Sequence, residues 1–219
     1  MFKVNKLIGF AARRTAAAAG LQYVATDSKT AATTNPSWTG VSFGPTDATR
    51  EIFVLVGMAN TGGGAALPTA FSIDGATTTL VGSFAGASVN ARVAIYRAAP
   101  SGTTGTISYT SAANLHTIAV YQVAGGVITV EDVDGRGSSS NEVASVTIDS
   151  AIDDVVLAIS ARRTTGADIS GVTVDYSLST GILSSKQGSK RADTTTTTVS
   201  YTEAGFTAHA IMAVSLKKT

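Results

Sequence analysis

The chain has 219 residues, 44% of them hydrophobic, enough to build a sizeable core without staples, and it contains no cysteine. Charged residues make up only 14% and the formal net charge is +1. The missing cysteines exclude disulfides, thiolate metal ligands and a cysteine nucleophile, and the balanced charge argues against nucleic-acid binding, which needs clustered Lys and Arg to neutralise phosphates.

The first twenty residues, MFKVNKLIGFAARRTAAAAG, are basic and free of acids. The apolar run from Leu7 to Ala12 is too short for the hydrophobic stretch of a signal peptide, and Arg13 and Arg14 interrupt it before a cleavage site; the basic, Ala-rich character also suits a mitochondrial presequence. With Val4, Leu7, Ile8 and Ala11 on one face, residues 1–24 read as an N-terminal arm or helix. No stretch reaches the roughly 18 consecutive apolar residues of a membrane-spanning helix, so no membrane partner is expected.

From Ala25 to Pro45 the sequence is polar and turn-rich, with one short strand expected over Trp38 to Phe43. Arg50 to Met58, REIFVLVGM, is a strong strand with apolar residues on both faces: Ile52, Val54, Val56 and Met58 on one, Phe53 and Leu55 on the other. Such a strand lies between two covered faces or is partly covered by a neighbouring subunit. Phe71 to Asp74 and Thr77 to Val81 read as strands joined in a hairpin at Asp74-Gly75. The stretch from Asn90 to Gly126 then forms a meander, with strands over Arg92 to Ala98, Ile107 to Thr110 and His116 to Val123 separated by Pro100-Ser101-Gly102 and Thr103-Thr104-Gly105.

Val127 to Val130 extends that sheet, and Glu131 to Glu142, EDVDGRGSSSNE, reads as a long polar loop. Strands follow over Val143 to Ile148, Asp154 to Ala161 and, more weakly, Val172 to Tyr176 and Ile182 to Leu183. Lys186 to Arg191 reads as a basic loop, Thr194 to Thr198 as an edge strand and Thr207 to Leu216 as the closing strand. No fixed repeat period and no Pro- or Ser-rich linker is visible. The fold class is therefore all-β: one β-sandwich domain, of jelly-roll type, over residues 25–219 behind the arm.

Chemistry-bearing candidates are few. His116 and His209 sit inside strand patterns among apolar neighbours, and no G-x-S-x-G elbow accompanies them, so they are expected to pack and not to serve as bases. The pairs Glu131-Asp132, Asp132/Asp134 and Asp153-Asp154 suit turns better than a glycosidase, which places two acids across a cleft beside aromatic rings. Measured against an EF-hand loop, Asp132, Asp134 and Gly137 fall on positions one, three and six, but Arg136 occupies the fifth and Val143 the twelfth, where a bidentate carboxylate belongs. Gly62-Gly63-Gly64 lacks the lysine and the following helix of a phosphate loop. Trp38, Tyr96, Tyr109, Tyr121, Tyr176 and Tyr201 offer rings for stacking a host-surface glycan or for filling the core. No catalytic residue, metal site or cofactor is expected.

The segments REIFVLVGM (Arg50 to Met58), DGATTTLVG (Asp74 to Gly82), ARVAIYRAAPSGTTGTISYTSAANLHTIAVYQVAG (Ala91 to Gly125) and AHAIMAVSLK (Ala208 to Lys217) together resemble small structural proteins encoded by tailed bacteriophages and prophages of proteobacteria. The resemblance covers most of residues 50–216 and transfers no functional residue. It implies an accessory, non-enzymatic virion component, such as a head decoration, collar, spike or tail module. With few surface charges to oppose association, a homo-oligomer is expected, held to other virion proteins by the arm. The loops Asn60 to Pro68, Glu131 to Glu142 and Ser184 to Asp193 are the expected partner-facing segments.

Overall fold

The computed structural model describes residues 20–86, 90–138, 144–164, 168–201 and 208–219. Among them every regular element is a strand. The first eight are β1 (Gln22–Ala31), β2 (Ser37–Ser42), β3 (Glu51–Ala59), β4 (Thr69–Ile73), β5 (Thr79–Ala85), β6 (Ala91–Ala98), β7 (Thr104–Thr110) and β8 (Leu115–Ala124). The rest are β9 (Ile128–Ser138), β10 (Ala144–Asp149), β11 (Val155–Arg162), β12 (Thr173–Thr180), β13 (Leu183–Arg191), β14 (Thr196–Tyr201) and β15 (His209–Lys218). The chain is all-β and antiparallel, with sheets that stack as in a sandwich.

β1-β8-β3-β6-β5 and β12-β13-β11-β15-β9 form two five-stranded sheets, while β2-β7-β4 and β10-β14 form smaller ones. Four layers result. Phe53, Leu55 and Ile95 of one large sheet pack on Leu157, Ile159 and Val214 of the other. The opposite face of the first large sheet, including Ile52, Val54 and Val56, packs on Trp38, Val41 and Ile107 of its small sheet. Val156, Ala158 and Ile211 do the same against Val146 and Val199. The apolar character of both faces of β3 and β11 is thus explained inside one chain, since each central strand is sandwiched on both sides.

The two halves repeat one topology. Read from its far end, the second large sheet runs β9-β15-β11-β13-β12, so its strands take the places of β1, β8, β3, β6 and β5 in turn, and β10-β14 takes that of β2-β7. Even β4 has a remnant: Ser72 of β4 pairs with Ser108, and an isolated bridge joins Ser170 to Ser200. Ser108 and Ser200 occupy matching segments, Thr106-Ile107-Ser108-Tyr109-Thr110 and Thr198-Val199-Ser200-Tyr201-Thr202, and His116 and His209 follow in β8 and β15.

Polar contacts repeat as well. Asp27, just past a bulge in β1, accepts the amides of Ser28 (2.7 Å) and Ser42 (2.9 Å). Asp132, just past a bulge in β9, accepts those of Val133 (2.8 Å) and Asp149 (2.8 Å). Phe43 N donates to Thr103 O at 2.7 Å, and Ser150 N to Thr195 O at 3.0 Å.

Across the large-sheet contact β1 lies beside β12, β3 against β11 and β5 beside β9. A two-fold axis along the strands produces this reversed order, because it matches each element of one half with its counterpart in the other. Two arginines make the relation concrete. Arg97 (β6) donates to Ile128 O of the second half at 3.5 Å and pairs with Glu51 at 3.4 Å. Arg191 (β13) donates to Leu21 O of the first half and, at 2.9 Å, to Asp153 O. Matching loops therefore emerge at one end: Thr61, after β3, accepts from Arg163, after β11, at 2.8 Å. Gly20, the Gly125-Gly126 linker and Thr219 gather at the other, where Thr219 N donates to Val127 O at 3.0 Å.

Several expectations need correction. Gln22–Ala31 is strand β1, so the arm assigned to residues 1–24 overlaps the sheet from Gln22; residues 1–19 lie outside the described residues. This edge strand contributes few apolar residues, Tyr23 and Ala25 to the core between the large sheets and Ala31 to that of the small sheet. The loop expected from Glu131 continues β9 as far as Ser138, where Gly135 and Gly137 make room for Phe84 and the Ala85 carbonyl of β5. The basic loop at Lys186 to Arg191, within the expected partner-facing segment Ser184 to Asp193, is β13, an interior strand. Its polarity has a cause: Ser185 Oγ meets Thr117 Oγ1 at 2.7 Å, and Asp175 accepts from Ser189 (2.6 Å) and Tyr121 (3.0 Å) in a seam between the large sheets. Asp74 and Gly75 do form a tight turn with φ of 52° and 74°, but β4 and β5 then part into different sheets.

The large sheets also approach closely at Gly57, where a Cβ would stand 3.2 Å from Ser185 Cβ of the other sheet and 2.6 Å from Thr117 Oγ1 beside it in its own. Gly57→Leu is predicted to lower unfolding free energy by about 1–3 kcal/mol or more through overpacking. Gly62→Ala, with nothing within 4 Å, should stay within about 0.5 kcal/mol of wild type in urea denaturation.

Candidate functional site

His116 sits in β8 on the face toward the small sheet and is fully buried. Its Nε2 lies 3.1 Å from Ala113 O and its Nδ1 3.0 Å from Tyr109 Oη. A carbonyl only accepts, so Nε2 carries the proton and Nδ1 accepts from the tyrosine hydroxyl. Burial lowers the His116 pKa, partly offset by the Ala113 and Thr33 carbonyls, and burial holds the Tyr109 hydroxyl well above the ordinary tyrosine range. Both ring nitrogens are therefore committed to the fold. In the second half, His209 stacks on Tyr201 with ring centroids 4.7 Å apart, and both are fully buried.

The aromatic candidates form the core of the small sheet. Phe71 stacks on Tyr96 (3.8 Å between centroids) and on Tyr109 (4.9 Å), with Trp38 tilted against Tyr109 at 5.8 Å. Their polar ends are satisfied within the chain, Trp38 Nε1 by Thr30 O at 3.1 Å and the Tyr96 hydroxyl by Pro68 O at 3.2 Å. Tyr121 and Tyr201 are buried too, so of the six rings singled out only Tyr176 is part-exposed, leaning edge-on against Tyr121. Burial, followed by the nearby Asp27 and Asp175 carboxylates, raises the Tyr176 pKa.

The acids hold turns and bulges. Asp132 serves the β9 bulge, Asp134 accepts the Gly135 amide at 2.7 Å, and Glu131 pairs with Lys217. Asp154 accepts the Ala151 amide at 2.7 Å, and Asp153 occupies a turn position with φ of 77°. Glu142 and Val143, at the end of the calcium-loop comparison, lie outside the described residues. No group of three or more His, Asp or Glu able to hold a metal ion occurs among the described residues.

Gly62 N donates to Asn60 Oδ1 at 3.1 Å, and the loop runs into β4. Beside it lies a hollow of about 260 Å³ lined by Gly64, Ala65, Ala66 and Arg92, in which Arg92 Nε is occupied by Ala65 O at 2.8 Å.

The concavity that sequence reasoning missed lies on the outer face of β1 and β8. Gln22, Tyr23, Val24, Pro45, Gln122 and Ala124 line about 240 Å³. Gln122 is nearly buried and its Oε1 has no hydrogen-bond partner. No sequence signal marks this cleft, because a glutamine at the end of an apolar strand has no motif. It offers an acceptor and apolar walls, but its lining includes no activated nucleophile or metal-binding set.

Comparison with protein-family models, with curated proteins and with solved structures finds no match to this chain.

A pH dependence follows from His116. Its folded-state pKa is depressed, so its contribution to stability is complete above the unfolded value near about 6.5 and is lost as pH falls through the folded value. Unfolding free energy measured by urea titration between about pH 5 and 8 should fall on acidification. His116→Gln should flatten that slope relative to wild type; an unchanged slope would assign the effect elsewhere.

Proposed function

We propose that this chain is a non-enzymatic structural component of a tailed-bacteriophage virion that associates with itself and attaches to the particle through residues 1–19. The observation carrying this reading is the molecule's polarity. The chain enters the sheets at Gly20, beside the half-to-half linker and Thr219, while the Asn60 to Pro68 loop and the Ser111 to Asn114 connection lie at the opposite end. Such a body is anchored at one end and presents loops at the other.

Two further observations support it. The resemblance to phage structural proteins spans most of residues 50–216, including the segment that builds β6, β7 and β8. The groups that chemistry would recruit first, His116 and the acids at 132, 134 and 154, each hold backbone in place. The interleaving of β1-β8-β3-β6 in one sheet with β2-β7-β4 in the other supports the jelly-roll reading, with β5 transferred to the edge of the larger sheet.

Deleting residues 1–19 is predicted to abolish incorporation into particles assembled in an infected host while leaving the unfolding transition of the purified protein unchanged. Normal incorporation of the truncated chain would refute the role given to that segment.

A further inference from the structure

The contact between the two large sheets has the character of a subunit interface built into one chain. We infer that this contact also forms between chains, so that two copies associate by exchanging halves, the first half of each packing on the second half of the other. The inference rests on the self-association proposed above and names its surface.

Four observations carry it. The contact is isologous in form, with matching strands on both sides and the reciprocal arginines Arg97 to Ile128 O and Arg191 to Leu21 O. Its polar groups make it selective. On one side of the axis, Thr117 and Tyr121 of β8 meet Ser185, Asp175 and Ser189 of β12 and β13; on the other, the inward residues Ala210, Met212, Val214 and Leu216 of β15 share an apolar cluster with Val93 and Ile95 of β6. Two first halves would face Thr117 and Tyr121 with Val93 and Ile95. Two second halves would face Ser185 and Ser189 with Ala210 and Val214. Either pairing buries polar groups without partners, so a first half selects a second half.

Edge pairing through β1 and β9 is blunted. On the outer edge of β1, Asp27 caps the Ser28 amide, Trp38 the Thr30 carbonyl and Arg191 the Leu21 carbonyl. On that of β9, Asp132 caps the Val133 amide, Asp134 the Gly135 amide and Arg97 the Ile128 carbonyl. These are the devices that suppress edge-to-edge pairing. Finally, only Gly125, Gly126 and Val127 connect β8 to β9, and Gly125 holds a φ of 114° that a side chain disfavours. A short hinge that turns back under conformational constraint is the usual place for exchange to begin.

The test uses the absence of native cysteine. In the full chain carrying Thr117→Cys and Ser185→Cys, whose wild-type hydroxyl oxygens are 2.7 Å apart, oxidation links the two halves of whichever sheet pair forms. The protein is refolded from urea at high concentration, air-oxidised, separated by size and run on a non-reducing denaturing gel. Exchange predicts dimers joined by disulfides in the dimer fraction, and Gly125→Val, which disfavours the closed hinge, should raise that fraction severalfold. A dimer or larger fraction whose chains carry only internal disulfides would overturn exchange and leave self-association standing. A species that stays monomeric at every concentration, with and without Gly125→Val, would overturn both.

Discussion

The face-to-face packing of the two five-stranded sheets is the constraint on which the rest depends. Each large sheet is apolar on both faces, and its small partner sheet covers only one. Separated, each would expose a broad patch of Leu, Ile, Val and Phe to water, at about 25 cal/mol for every Å² uncovered. Docked, they leave little room at Gly57, where an added Cβ would stand 3.2 Å from Ser185 Cβ across the contact. The layers outside this contact are more tolerant, and there the halves differ: β4 is a full strand in one and a single bridge at Ser170 in the other.

The duplication makes sense of positions that look arbitrary one at a time. An aspartate after a bulge is unremarkable, but Asp27 and Asp132 each tie the first strand of their half to the end of the second. Buried Tyr–His neighbours recur at Tyr109–His116 and Tyr201–His209. Where the halves differ, the difference is local. Gln122 keeps an unpartnered amide oxygen beside a cleft, and β13 carries Gln187 and Ser189 where β6 carries Val93 and Ile95.

Most strands were legible in the sequence because alternation and β-branched residues mark them, as in Glu51–Ala59 and Val155–Arg162. Strands whose stability comes from their neighbours were not. β1 and β9 are polar edge strands, and β13 reads as a basic loop because its inward serines are satisfied by residues distant in sequence, Ser185 by Thr117 across the sheet contact and Ser189 by Asp175 of the adjoining strand, which no local pattern can reveal. The repeat was visible in principle, in the two T-[IV]-S-Y-T segments each followed by a histidine. Loops and strands of unequal length between them hide any fixed period. The demotion of both histidines and five of the six aromatic rings to packing roles was legible from their strand context, whereas the Gln122 cleft was not.

Hydrogen exchange followed strand by strand tests the central claim most directly. If each large sheet is stable only while docked on the other, the amides of β3 and β11 should share the slowest exchange and the same opening free energy, because opening one half removes the cover from the other. Exchange from β11 through an opening that leaves β3 fully protected would contradict the account, showing instead two sandwiches that hold their structure independently.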